Sequence, residues 1–132
     1  MAKLLPDTTY LPPVLSVAVN LERYGKVFPK LLERYTVFYN PISLVESKWI
    51  MLRLCRRDPG KKRGYLEAYK RGLKALLNDN RIQQIQLTNP EVEEVADKLL
   101  VEAGVKDYFD RLIYATATYL KTTLLTEECR VN

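Results

Sequence analysis

The sequence predicts an α/β fold, a three-layer α/β/α sandwich with a mainly parallel central sheet, as a single domain over residues 1–132. Three observations carry this prediction. A length of 132 residues suits one domain with a substantial core. Short β-branched or apolar runs alternate with longer segments of helical periodicity, which is the pattern of strands joined by helices around parallel strands. No internal repeat, low-complexity tract or linker interrupts this alternation.

The first half of the chain predicts two strands and three helical segments. Lys3–Pro6 is a short apolar strand, and residues 10–19 and 21–35 show helical periodicity. Residues 36–39 are β-branched and aromatic, so they predict a strand that Asn40-Pro41 ends. Residues 43–57 predict a helix that is apolar on nearly every side, and such a helix is expected in the core.

The second half continues the alternation. Asn89 is the expected N-cap of a helix that starts at Pro90 and stops at Gly104. The other predicted elements are a helix over residues 65–77, a strand over residues 81–87, a helix over residues 107–121 and a strand over residues 122–126.

The composition excludes several classes of site. The chain has no histidine, so Ser-His-Asp and Cys-His nucleophile systems and the usual zinc sites are absent. Cys55 and Cys129 lie far apart and are expected to be reduced thiols. The sequence has no membrane-length apolar run, and its N-terminus is too short in apolar residues for a signal peptide, so we expect a cytoplasmic protein that is not bound to membranes.

Acidic residues occur where strands end and helices begin. Asp7 follows the first predicted strand, Glu127 and Glu128 follow the last, and Glu46 and Asp110 lie in the first turns of helices. In an open parallel sheet, ligand sites form beyond the carboxyl ends of the strands. Carboxylates gathered there suit a hard cation such as Mg²⁺ or Mn²⁺.

Each acid also has a structural explanation. Ser43 and Glu46 match a capping box, and Asp110 suits the positive end of a helix. Asp7 can stabilise a turn, and the acids at residues 127 and 128 can be solvated tail charges. Against this, the face of Glu46 continues into apolar Trp49 and Ile50, where an unpaired charge is costly. The pattern favours a site and leaves the structural explanations open.

In order and spacing, four short motifs resemble those of the PIN-domain nucleases, and within that family the VapC-like toxins and their archaeal relatives. The resemblance extends from about Leu4 to Cys129. The motifs are Leu-Leu-Pro-Asp7-Thr-Thr-Tyr-Leu, Ile42-Ser-Leu-Val-Glu46, Asp110-Arg-Leu-Ile-Tyr-Ala-Thr-Ala117 and Leu124-Leu-Thr126-Glu-Glu128.

The resemblance implies a metal-dependent endoribonuclease, the toxin of a toxin–antitoxin pair, acting as a homodimer inhibited by an antitoxin protein. By position, Asp7, Glu46, Asp110 and Glu128 would bind Mg²⁺ or Mn²⁺, with Thr126 as a polar residue beside them. The metal would activate a water for attack on RNA phosphorus, and Glu46 or Glu128 would orient that water.

Two departures from the family pattern define an alternative. Glu128 stands where the family usually has Asp, and the sequence ends at Asn132, soon after that position. The alternative is a catalytically degenerate PIN fold that binds RNA or a protein without cutting.

The middle of the chain is strongly basic. From Arg53 to Lys74 there are nine Lys or Arg and two acids, within a chain of net charge +5. Tyr65 and Tyr69 are interleaved, and such a patch can follow a phosphate backbone and stack on unpaired bases. A solvated helix with long side chains explains it equally well. Alongside the nuclease resemblance, RNA binding is the better interpretation, through Arg53, Arg56, Arg57, Lys61, Lys62 and Arg63.

Overall fold

The centre of the computed structural model, which describes residues 2–11 and 29–125, is a sheet of four parallel strands. Their spatial order is β3-β2-β1-β4, so β1 lies between β2 and β4. Because all the strands run the same way, their carboxyl ends meet at one edge of the sheet. The strands are β1 (Ala2–Pro6), β2 (Tyr35–Tyr39), β3 (Ile82–Gln84) and β4 (Thr123–Leu125).

Helices cover both faces of this sheet, which confirms the predicted three layers. The side chains of β1 alternate between two apolar clusters: Leu5 packs with Val92 and Leu112 on one face, and Leu4 packs with Leu76 on the other. None of the helices in the described ranges is long and apolar enough to cross a bilayer. The helices with both ends in the described ranges are α1 (Ile42–Arg57), α2 (Lys62–Leu77), α3 (Pro90–Ala103) and α4 (Tyr108–Leu120).

The helix ends follow the capping chemistry of the sequence. Asn89 caps α3, since its Oδ1 accepts a hydrogen bond from Val92 N at 2.9 Å, and Pro90 is the first helical residue. Gly104 ends α3 in the left-handed conformation, with φ 68°, where a side chain would be strained. These predicted boundaries are confirmed.

Three predicted boundaries differ from the structure. The strand predicted over residues 81–87 is only Ile82–Gln84, and beyond it the Leu87 carbonyl accepts a hydrogen bond from the Asn40 side chain. The helix predicted to begin at residue 65 begins at Lys62, after a short 3-10 turn. The segment predicted as helix over residues 21–35 is helical at 29–34, but Tyr35 already belongs to β2, and residues 12–28 lie outside the described ranges.

The prediction that α1 is buried on nearly every side is wrong. Apart from Ile42, its first residue, its buried side chains recur every four residues, at Ser43, Ser47, Met51 and Cys55. The helix packs on α2, where the buried Tyr69 donates from its hydroxyl to the Leu44 carbonyl at 3.1 Å. The opposite face carries exposed apolar side chains, among them Val45, Trp49 and Leu52.

Candidate active site

The first predicted acid, Asp7, directly follows β1 at the edge where the parallel strands end. The short turn Thr8–Tyr10 comes next, and Tyr10 N donates to the Asp7 carbonyl at 3.0 Å. The Asp7 side chain makes no capping hydrogen bond to this turn. Backbone bonds therefore hold the turn, and the Asp7 carboxylate is not needed to cap it.

Glu46 lies one turn into α1, half-buried beside that turn. Its Oε1 accepts a hydrogen bond from Thr8 Oγ1 at 2.8 Å. Burial raises the pKa of Glu46, as do the negative charges of Asp110, Asp7 and Asp107, while the Thr8 hydrogen bond lowers it. The capping-box explanation is wrong, because the Ser43 amide donates to the Asn40 carbonyl at 2.9 Å and not to the Glu46 carboxylate.

Asp110 lies in the first turn of α4, and Asp107 is the N-cap of that helix. The Asp107 Oδ1 accepts from Phe109 N at 2.9 Å and from Asp110 N at 3.4 Å. Both acids raise the pKa of Glu46 through their charge. The structure therefore brings together Asp7, Glu46 and Asp110, the three predicted acids within its described ranges. It adds a fourth acid, Asp107.

Two buried polar side chains hold the elements that carry these acids in place, and sequence patterns did not reveal either of them. Asn40 follows β2, and its Nδ2 donates to Thr116 Oγ1 of α4 at 3.0 Å. Its Oδ1 accepts from Ile42 N at the start of α1 at 2.9 Å. Arg111 donates from Nη1 to the carbonyls of Val105 and Lys106, which holds the loop before α4. An Asn between a strand and Pro41 was the only sequence signal, and it indicated a strand end.

The donor chemistry of this edge fits a hydrated Mg²⁺ or Mn²⁺. The described acids here offer oxygen ligands, and three neighbouring charges oppose ionisation of Glu46, a repulsion that a divalent cation relieves. Within residues 2–11 and 29–125, no group of three or more carboxyl or thiol side chains forms a single metal-ligand set. Magnesium commonly keeps several waters and binds one or two carboxylates, so such a set is not required.

A cleft of about 540 Å³ adjoins the acids along α1. Trp49, which the sequence placed in the core, is 52% exposed at this cleft. Its ring contacts that of Phe109 with centroids 5.1 Å apart and planes tilted by 41°. The lining residues are Glu46, Trp49, Ile50, Leu52, Arg53, Arg56, Asp107 and Phe109.

The family model described as the PIN domain matches residues 14–130 of this sequence. The chain belongs to the PIN domain family. The match contains Glu46, Asp110, Thr126 and Glu128, while Asp7 precedes it. No curated protein matched the sequence significantly.

A solved PIN-fold neighbour is VapC20 from Mycobacterium tuberculosis, described as a toxin that cleaves the sarcin–ricin loop. The two proteins are 16% identical, and the TM-score is 0.57. The alignment covers 91% of this chain and 85% of VapC20. At this identity the likeness shows a shared fold, and it confirms the PIN-like α/β architecture that the sequence predicts.

The basic residues predicted to bind nucleic acid lie on the surface of this PIN domain, at the end of α1 and the start of α2. Arg53 and Arg56 border the 540 Å³ cleft, and with Arg57 they line a second cleft of about 480 Å³. Lys61, Lys62 and Arg63 follow, all exposed, and Lys61 Nζ lies 3.8 Å from Asp58 Oδ2. The prediction that Tyr69 offers a stacking face is wrong, because Tyr69 is buried, with Lys48 over its ring.

The two remaining predicted site residues of the PIN domain, Thr126 and Glu128, lie outside the described residues, as does Cys129. β4 ends at Leu125, immediately before Thr126 and at the same sheet edge as Asp7. The register pairs Pro6 of β1 with Leu125 of β4. Cys55, the other cysteine, is free and buried.

Proposed function

We propose that this PIN domain is a Mg²⁺- or Mn²⁺-dependent endoribonuclease and the toxin of a toxin–antitoxin pair. One observation carries the proposal: Glu46 of α1 feels the charges of Asp7, which follows β1, and of Asp107 and Asp110 at the start of α4, and these charges raise its pKa. Membership of the PIN family and the fold shared with VapC20, a toxin that cleaves RNA, support it.

In this proposal Asp7, Glu46, Asp110 and Glu128 hold the metal. When bound, the metal lowers the pKa of a water and neutralises charge on the phosphate. Thr8 orients the Glu46 carboxylate through its hydrogen bond, and Glu46 or Glu128 positions the attacking water. Thr126 supplies a polar contact beside them. The basic residues from Arg53 to Arg63 hold the RNA backbone.

Partners follow from the same reasoning. We propose a cytoplasmic homodimer whose activity is blocked by an antitoxin protein. Structured RNA such as a sarcin–ricin loop belongs among the test substrates, beside single-stranded RNA, because VapC20 cleaves that loop.

The decisive test is RNA cleavage with Mg²⁺ or Mn²⁺ by the parent and by the variants Asp7→Asn and Asp110→Asn. Each variant removes one charge while keeping the size of the side chain. We expect at least 100-fold slower cleavage for each, because loss of a single electrostatic group at a reacting centre costs about that much. Activity that survives both substitutions would defeat the assignment.

A second candidate is a degenerate PIN fold that binds RNA or protein without cutting. It is favoured by Glu128, which stands where the family usually has Asp. Titration with Mn²⁺ separates the two candidates. Salt-sensitive RNA binding without Mn²⁺ binding, abolished on neutralising Arg56, Arg57, Lys61 and Lys62, would support the binding module.

A further inference from the structure

Four side chains in a row along α1 join the acids to the basic surface. Glu46, Trp49, Arg53 and Arg56 are spaced by three, four and three residues, so they fall within an arc of roughly 80° on one side of the helix. All four line the same 540 Å³ cleft. An acid, an exposed aromatic ring and two cations therefore follow one another along a single groove.

From this order we infer that the Trp49 ring is a stacking subsite for an unpaired base of RNA, next to the acids that would hold the metal. The inference rests on the proposed function and names how the substrate strand is held. From Glu46 to Arg53 the helix rises about 10 Å, the length of roughly three stacked nucleotides. The base stacks on Trp49, and the phosphates that follow it contact Arg53 and Arg56.

The packing around Trp49 suits this role. An indole that is 52% exposed contributes less to the core than a buried one, and its contact with Phe109 restricts its orientation. Stacking on an aromatic ring tolerates any base, since every base has a π-face. The arginines supply the charge that a polyanion needs, and they stand on the side of Trp49 away from the acids.

A rival occupant is an apolar protein segment. Trp49 also borders a smaller cleft of about 300 Å³, with Val45, Leu52 and Tyr69 among its lining residues. Charge complementarity favours RNA, because the larger cleft connects the acids with two arginines. The rival makes a different prediction: the RNA affinity would not depend on Trp49.

The test uses the fact that Trp49 is the single tryptophan of the chain. Its fluorescence is followed while a short single-stranded oligoribonucleotide is added to the full chain in EDTA, which prevents metal-dependent cleavage. We expect quenching by the intact oligonucleotide and little by an abasic strand with the same phosphates. Bound RNA, shown by anisotropy of a labelled strand, without quenching would overturn the inference.

Substitutions supply the second measurement, with affinity read by anisotropy. We expect Trp49→Ala to weaken RNA binding roughly 5- to 150-fold, Trp49→Phe to retain most of it, and Tyr119→Ala to change nothing. Tyr119 is a matched control, an exposed aromatic on α4 outside the 540 Å³ cleft. Unchanged affinity in a folded Trp49→Ala protein would overturn the inference and support the protein-segment rival.

The outcomes also separate this inference from the proposed nuclease function. Quenching by RNA with no cleavage in Mn²⁺ would remove the nuclease proposal and leave the stacking subsite. Cleavage in Mn²⁺ without quenching would remove the stacking subsite alone.

Discussion

Glu46 is the residue at which the demands of folding and of the proposed chemistry conflict. Its carboxyl is half-buried and faces Asp110, Asp7 and Asp107, while the Thr8 hydroxyl donates a hydrogen bond that favours the ionised form. Burial and these charges hold its pKa above the ordinary value of 4.5. The metal-free fold therefore carries an unfavourable charge here, of the kind found at sites built for function.

The sign of this effect gives a pH prediction. Just above pH 4.5 the folded chain still holds the Glu46 proton that the unfolded chain has released, so stability falls as the pH rises through the raised pKa. We expect Glu46→Gln to raise the urea midpoint of unfolding in EDTA at pH 7. Below about pH 4, near the unperturbed pKa of a Glu side chain, the substitution should leave the midpoint unchanged, because the carboxyl is then largely protonated in both states. The exposed Glu102→Gln is the control. An equal gain for Glu46→Gln at both pH values would contradict the electrostatic origin.

At the scale of elements, the start of α4 has two roles. Asp107 caps the helix through the amides of Phe109 and Asp110, and Arg111 holds the preceding loop by its carbonyls. The same turn brings Asp110 to the sheet edge. Further along α4, Ala115, Thr116 and Ala117 are buried, and these small side chains allow the helix to lie close to the sheet. The geometry of the acids thus depends on helix capping and on packing.

The effect of the α4 N-cap on stability can be separated from its effect on the placement of Asp110 by comparing α3 with α4. Asp107→Ala and Asn89→Ala each remove an N-cap and should each cost about 1 kcal/mol in the free energy of unfolding. Only Asp107→Ala should also slow RNA cleavage, because α4 carries Asp110. Asp107→Asn should retain the stability, since Asn caps as well as Asp. Equal activity in the two alanine variants would show that the α4 cap does not position the site.

For the whole molecule, the separation of charge defines how RNA should approach. The segment from Arg53 to Lys74 has a net charge of +7 within a chain of +5, and its cations are exposed at the end of α1 and along α2. The acids lie at the sheet edge, and the 540 Å³ cleft connects them with the basic surface. Association should therefore be guided by the basic surface and depend strongly on salt.

Salt dependence tests this arrangement. Changing Arg56, Arg57, Lys61 and Lys62 together to Gln should reduce the slope of log affinity for single-stranded RNA against log salt by roughly 0.7 for each phosphate that the variant no longer neutralises. A control changes Lys98 and Lys121, two exposed cations on α3 and at the end of α4, to Gln. A control slope that falls by as much per charge removed as that of the first variant would show that binding reflects net charge alone.

Much of the fold could be read from local sequence, because local chemistry sets it. Alternating apolar runs, the Asn89-Pro90 start and the Gly104 stop act within a few residues. Features that depend on contacts between elements distant in the sequence could not be predicted from it. The apolar composition of α1 did not reveal that Ser43 and Ser47 are buried while Trp49 is exposed. Tyr69 looked like a surface aromatic, and its burial depends on Leu44 across two helices.

The sequence by itself determined the class of chemistry: no histidine, oxygen donors at strand and helix ends, and a concentrated basic segment. It also determined the family, through motifs in order. Only the tertiary structure decided which side chains meet. It joined Thr8 to Glu46 across 38 residues, tied Asn40 to Thr116 across 76, and opened a cleft beside Trp49. Such contacts depend on the parallel crossover connections, which bring distant segments to one edge of the sheet.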